Sequence, residues 1–170
     1  MNAEYSFRAA DASDFDFVFA LHRAAMRQYI EPIWGWHEDW QEEYLRKKYE
    51  PDCYQIIQVK GQDAGVLVVE QRRGEVYLGL IELLPEFQGR GIGTAIVTRL
   101  MDESHARGLP LLLHVLKTNE AAQRLYQRLG FETVEDQDVR FHMRYPPAAR
   151  NELVPDSLDP NTTMPSQETQ

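Results

Sequence analysis

Leu83-Leu84-Pro85-Glu86-Phe87-Gln88-Gly89-Arg90-Gly91-Ile92-Gly93-Thr94 is the stretch that decides how this chain is read. An apolar strand ends, a glycine-rich turn follows, and helix-forming sequence begins at about Gly91. Glycines let successive backbone N–H groups converge on a ligand with no Cβ in the way. A helix N-terminus adds partial positive charge, so the element suits a pyrophosphate, with Arg90 and the Thr94 hydroxyl as further contacts. A Rossmann fingerprint needs G-x-G-x-x-G and an acid about 20 residues on. Here Gly89, Gly91 and Gly93 alternate, and Leu111 to Lys117 carries no carboxylate. A P-loop needs Gly-Lys followed by Ser or Thr, which is absent. On this segment alone, a tight structural turn stays open as the other reading.

Outward from the loop, strand-like and helix-like patterns alternate, the mark of an α/β chain. Upstream, Tyr5 to Arg8 reads as a first strand, and Asp11 or Ser13 can cap a helix reaching about Ile30. That helix carries Phe15, Val18, Phe19, His22 and Met26 along one stripe, and Pro32 and Gly35 break it. A charged helix follows from His37 to Lys48, with Trp40, Tyr44 and Leu45 on its apolar face. Tyr54 to Lys60 and Gly65 to Arg72 form a hairpin, and Arg73-Gly74 turns into a central strand, Glu75 to Leu84. Downstream come a helix over Gly91 to Arg107, a strand over Leu111 to Leu116 and a helix over Asn119 to Leu129. Phe131 to Glu135 and Val139 to Tyr145 close the domain as strands.

Two motifs then coincide. Gln88-x-x-Gly91-x-Gly93 resembles the Q/R-x-x-G-x-G/A coenzyme A motif of the GNAT acetyltransferases, in the same strand–turn–helix setting. Asn119 to Phe131 resembles that family's second motif, N-x-x-A-x-x-L-Y-x-x-x-G-F, at a matching separation. The resemblance is strongest from Val76 to Met143. It implies a GNAT fold, a mixed central sheet of about six to seven strands with about four helices on its two faces. It also implies transfer of acetyl from acetyl-CoA to a primary amine of a small molecule or peptide. The backbone of Ile81, Glu82 and Leu83 would hold the pantetheine. Gln88, Gly89, Arg90, Gly91, Ile92, Gly93 and Thr94 would bind the pyrophosphate. Asn119 occupies the position that contacts the coenzyme near its thiol, and also reads as a helix N-cap.

Tyr126 matches the tyrosine that family members use to protonate the departing thiolate, a role a neutral phenol suits. The other reading is a core aromatic. Transfer needs an unprotonated amine, and two polar residues interrupt apolar strands near the expected acetyl position, Glu82 and His114. Period-two alternation puts Val76, Leu78, Leu80 and Glu82 on one face. His114 falls where some relatives place a catalytic glutamate, and is expected to face the same way. The expectation is a hydrogen-bonded Glu82–His114 dyad, with Glu82 raising the pKa of His114.

The resemblance places the acceptor beside Tyr29 to Trp40, where Trp34, Trp36 and Trp40 sit among Glu31 and Glu38, a composition that suits a cationic amine. Helix-fastening tryptophans and solvated acids are the other reading. A net charge of −9 argues against a nucleic-acid partner. No apolar run is long enough for a membrane span, and the N-terminus lacks a signal pattern, so the expected compartment is the cytoplasm. The single cysteine, Cys53, excludes an internal disulfide and a cysteine-rich zinc site, and no metal is expected. A homodimer stays open. The domain is expected over residues 1–145, with 146–170 a Pro/Ser/Thr/Asn-rich tail that is flexible unless Leu153, Val154 or Leu158 pins it. A catalytically silent acyl-CoA-binding module and a protein N-terminal acetyltransferase remain alternatives on the same fold.

Overall fold

Apolar alternation and tight turns build most of the sheet locally. The computed structural model describes residues 4–148. Its strands are β1 (Ser6–Ala9), β2 (Gln55–Val59), β3 (Gln62–Arg72), β4 (Glu75–Leu83), β5 (Leu111–Leu116), β6 (Glu132–Asp136) and β7 (Arg140–Tyr145). They form one seven-stranded sheet in the order β1-β2-β3-β4-β5-β7-β6. The β2–β3 turn runs through Lys60 and Gly61 in left-handed conformation (φ 51° and 78°), as a two-residue hairpin turn requires. Only β4 and β5 are parallel, and the crossover between them is the long helix that a parallel pair needs.

The helices are α1 (Phe15–Trp34), α2 (Glu38–Lys48), α3 (Ile92–Ala106) and α4 (Glu120–Arg128). Residues of α3 and α4 join one core with Val76, Leu78, Leu111, Leu113 and Met143. Residues of α1 join a second core with Ile56 and Val66, and Leu45 of α2 packs against it. Arg8 bridges Asp14, just before α1, and Asp63 on β3, at 2.8 Å and 2.6 Å. One departure from expectation concerns Pro32, which does not end α1. The helix continues to Trp34, where Gly35 at φ 73° turns the chain and its N–H donates to the Glu31 carbonyl. A proline in the last turn forfeits only one helical hydrogen bond, so the apolar stripe carries the helix past it. Beyond residue 148 the expected tail lies outside the described residues.

Two irregularities of β4 shape everything that follows. Val68 pairs with Leu80 and Val69 with Leu78, so Gly79 is an extra residue, a β-bulge. A bulge reverses the alternation. Val76 and Leu78 face the α3 core, but beyond Gly79 it is Ile81 and Leu83 that pack there, while Leu80 packs on the α1 core. The expected shared face of Val76, Leu78, Leu80 and Glu82 is therefore corrected. In addition, the β4–β5 ladder covers only Val76–Leu78 against Leu111–Leu113. Past that point β4 continues with β3 as far as Leu83, and β5 with β7 as far as Leu116, so the sheet splays open.

Candidate active site

The splay makes a cleft. Its inner part is a cavity of about 280 Å³ whose lining includes Tyr77, Glu82, His114, Asn119, Tyr126 and Arg140. Its outer part, of about 250 Å³, is lined among others by Leu83, Gln88 and Gly93. Met26, Ile81, Glu82, Asn119, Ala122 and Tyr126 border both. The hydroxyl of Thr118 donates to the Tyr29 carbonyl at 2.7 Å, tying the loop before α4 to α1.

At the outer end, Gln88 donates from its side-chain amide to the Leu83 carbonyl at 2.8 Å, bracing the turn. Gly89 and Gly91 are left-handed (φ 69° and 79°). A Cβ at either would meet nothing within 4 Å, and one at Gly93 only Leu83 Cδ1 at 3.8 Å. The loop backbone thus lies open and unobstructed at the N-terminus of α3, with Arg90 and Thr94 exposed beside it. This fits a coenzyme pyrophosphate, an anion facing backbone N–H groups. Ile92 is only 2% exposed and belongs to the α3 core, so it can contribute backbone alone.

At the inner end, Asn119 is the N-cap of α4, its Oδ1 accepting from the Ala122 N–H at 3.1 Å. Tyr126 lies one helical face along, buried, and burial pushes its hydroxyl up to about 12. It therefore stays protonated throughout the neutral range.

The expected Glu82–His114 dyad does not form. Nδ1 of His114 hydrogen-bonds the Tyr77 hydroxyl at 2.7 Å, and its ring stacks on His142 at 4.3 Å. Burial, then His142 and Arg140, hold its pKa below the ordinary histidine value rather than above it. The reason is register. Continuing the β4–β5 pairing would set His114 opposite Gly79, three residues or roughly 10 Å short of Glu82, even before the strands diverge.

Glu82 instead pairs with a residue that motif reasoning did not single out. Nδ1 of His22 on α1 lies 2.9 Å from Glu82 Oε1. The carboxylate is 2% exposed, and its other oxygen, Oε2, has no hydrogen-bond partner. Burial opposes charge on His22, but the hydrogen bond and field of Glu82, helped by Gln41, raise its pKa above the ordinary value. One signal was present in the sequence: His22 is the titratable member of the apolar stripe Val18, His22, Met26.

The tryptophan segment also differs from expectation. Glu31 is paired with Arg27, and Glu38 with Arg23, while the Arg27 guanidinium lies 6.0 Å from the Trp36 ring centre. Cations of the chain itself thus occupy both acids and one tryptophan. Trp34 and Trp40 remain open, 57% and 58% exposed, around a separate basin of about 570 Å³ that Tyr44, His22 and Gln41 also line.

A splayed parallel strand pair, a bulge beside the splay and a glycine loop at a helix N-terminus define a class, and sequence comparison names it. The profile of the acetyltransferase (GNAT) family matches residues 18–131, and the chain belongs to that family. An acetyltransferase of Pectobacterium atrosepticum is 30% identical over 103 residues, 59% of this chain and 72% of that protein. The mycothiol acetyltransferase of Streptomyces griseus is 31% identical over 68% of this chain and 39% of its own length. In fold, the chain resembles the PaiA N-acetyltransferase of Thermoplasma acidophilum, crystallised with coenzyme A, with a TM-score of 0.68 at 16% identity, covering 84% of this chain and 99% of that one. The ribosomal-protein-S18-alanine N-acetyltransferase of Escherichia coli gives 0.63 at 22% identity, covering 89% and 99%. No helix among the described residues is long and apolar enough to cross a membrane.

Proposed function

We propose that this protein transfers the acetyl group of acetyl-CoA directly to a primary amine of a small molecule or peptide. The observation that carries the reading is the continuous cleft from the Gly89–Gly93 loop to Glu82, Asn119 and Tyr126. When bound, the coenzyme supplies an activated acyl carbon. The N–H groups of the loop and of the first turn of α3 hold its anionic end, with Arg90 beside them. The backbone of Ile81, Glu82 and Leu83, unpaired toward β5, holds the pantetheine as a strand would. Asn119 keeps its amide nitrogen free for the thiol end, because only its oxygen serves the cap.

The acceptor enters the inner cavity beside Glu82. A carboxylate with a free oxygen accepts the ammonium proton and leaves the nitrogen lone pair available for attack. Tyr126, protonated at working pH, donates to sulfur as the C–S bond breaks. The loop acids are already matched by Arg23 and Arg27, so the amine proton is taken at Glu82 rather than at the tryptophan segment.

Thiol release from acetyl-CoA, measured across polyamines, amino acids, antibiotic amines and short peptides, tests the reading. Turnover with at least one amine, matched by mass to an acetylated product, is the expected result. Tight coenzyme binding without turnover on any amine would instead mark a silent acyl-CoA-binding module.

A further inference from the structure

We propose that His22 is the positioning residue for the carboxylate of Glu82, holding Oε1 so that Oε2 alone is presented to the acceptor amine. The proposal rests on the transfer reading above and adds to it the part of the molecule that makes Glu82 competent. Buried polar atoms are nearly always satisfied, and a carboxylate kept only to hold structure would have both oxygens bonded. Here one oxygen is bonded at 2.9 Å and the other, although buried, has no partner, on a side chain that borders both halves of the cleft. The vacant acceptor is the complement of an N–H donor arriving from the cavity.

Two features of the chain create this arrangement. The Gly79 bulge turns Glu82 from the α3 side of the sheet to the α1 side, where His22 waits. On α1, His22 takes the place an apolar residue would otherwise fill between Val18 and Met26. To bond a carboxylate, Nδ1 must carry hydrogen, a tautomer assigned from this geometry. The groups around the pair are Gln41 from α2, Trp36 with its ring 5.9 Å from His22, Tyr54 before β2, and Tyr126 from α4, which lines the same cavity as Glu82. Tyr54 is pushed up to about 12 by burial and then by Glu82, so it is neutral. His22 is therefore the counter-charge of Glu82. While it is protonated, the carboxylate is both aimed and balanced. When it loses its proton, only the neutral hydrogen bond remains.

The test compares His22→Gln, which keeps a donor and removes the titrating charge, with His22→Leu, which removes both. Acetyl-CoA and an amine turned over by the wild type are used across the pH range. His22→Leu should lower kcat/KM by roughly 10- to 100-fold, as when a residue that orients a metal ligand is lost. Coenzyme affinity by calorimetry should stay within about twofold, because His22 itself lines neither half of the cleft. His22→Gln should recover part of the rate. In both variants the ascending limb of kcat/KM should move to higher pH, since the pair has lost its positive member. In the intact protein, the NMR titration midpoint of the His22 imidazole should fall on Glu82→Gln. A purely packing role would change stability and leave limb and midpoint in place. An active wild type whose His22→Gln and His22→Leu forms keep its rate and limb overturns the role of His22 alone. A wild type that binds acetyl-CoA but acetylates no amine overturns the transfer reading, and this proposal with it. A midpoint indifferent to Glu82→Gln overturns the pairing even where a His22 variant fails to fold.

Discussion

Gly65→Ala should impair chemistry and stability together, although Gly65 touches neither cavity. The residue lies on β3 opposite Leu83, and the Leu84 N–H donates to the neighbouring Ala64 carbonyl at 2.8 Å. An added Cβ would stand 2.2 Å from the Glu82 carbonyl oxygen and 2.8 Å from Leu83 Cδ2. Real Cβ contacts essentially never fall below 3.0 Å, so β4 must move by on the order of 1 Å at Glu82. Because the closest atom is backbone, no rotamer change relieves the clash. Overpacking of this kind costs about 1–3 kcal/mol, or roughly 2–12 °C in melting temperature for a domain of this size. The same shift displaces the carboxylate and the carbonyls that border the proposed thioester site, and a 1 Å misplacement can cost roughly 10²-fold in rate. Thiol-release kinetics and a thermal melt on the same preparation read both effects. Gly61→Ala is the control. Nothing lies within 4 Å of its Cβ, but its φ is 78°, so it should lose a little stability and no activity. A Gly65→Ala enzyme with the wild-type rate and melting temperature would refute the claim that β3 holds β4 in register at Glu82.

Three other outcomes are expected. Gly93→Ala should weaken coenzyme binding in calorimetry while melting normally, whereas Gly91→Val should also lose about 1–2 kcal/mol of stability, because φ 79° disfavours a β-branched residue. Tyr126→Phe should lower kcat with little change in coenzyme affinity, provided chemistry limits the rate, and an unchanged kcat would make Tyr126 a packing residue. His114→Ala should cost far less turnover than Glu82→Gln, for which roughly 10²–10⁴-fold is expected. Because folding lowers the pKa of His114, its linkage contribution is full above the unfolded value near 6.5 and is lost as pH falls through the folded one. Melting temperature in this range should therefore depend less on pH in His114→Ala, and a slope identical to wild type would count against the lowered pKa of this half-buried imidazole.

Local chemistry was legible in the sequence wherever it depends on neighbours along the chain. The turn at Gly89–Gly93 and the start of α3, the N-cap at Asn119 and the spacing that carries Tyr126 into the cleft are all properties of short segments with a known period. The same holds for the β2–β3 hairpin and the long crossover between β4 and β5. What failed were statements about which side chains meet. One unpaired residue, Gly79, reverses the facing of everything after it on β4. No period-two count can see it, because the bulge is defined by pairing with β3. The divergence of β4 from β5 is likewise a relation between strands, and it separates Glu82 from His114. His22 stood 60 residues before Glu82 in an apolar stripe, readable as a core histidine. Only the packing of α1 on the sheet makes it the partner of a buried carboxylate, and only that packing leaves one oxygen of the carboxylate bare.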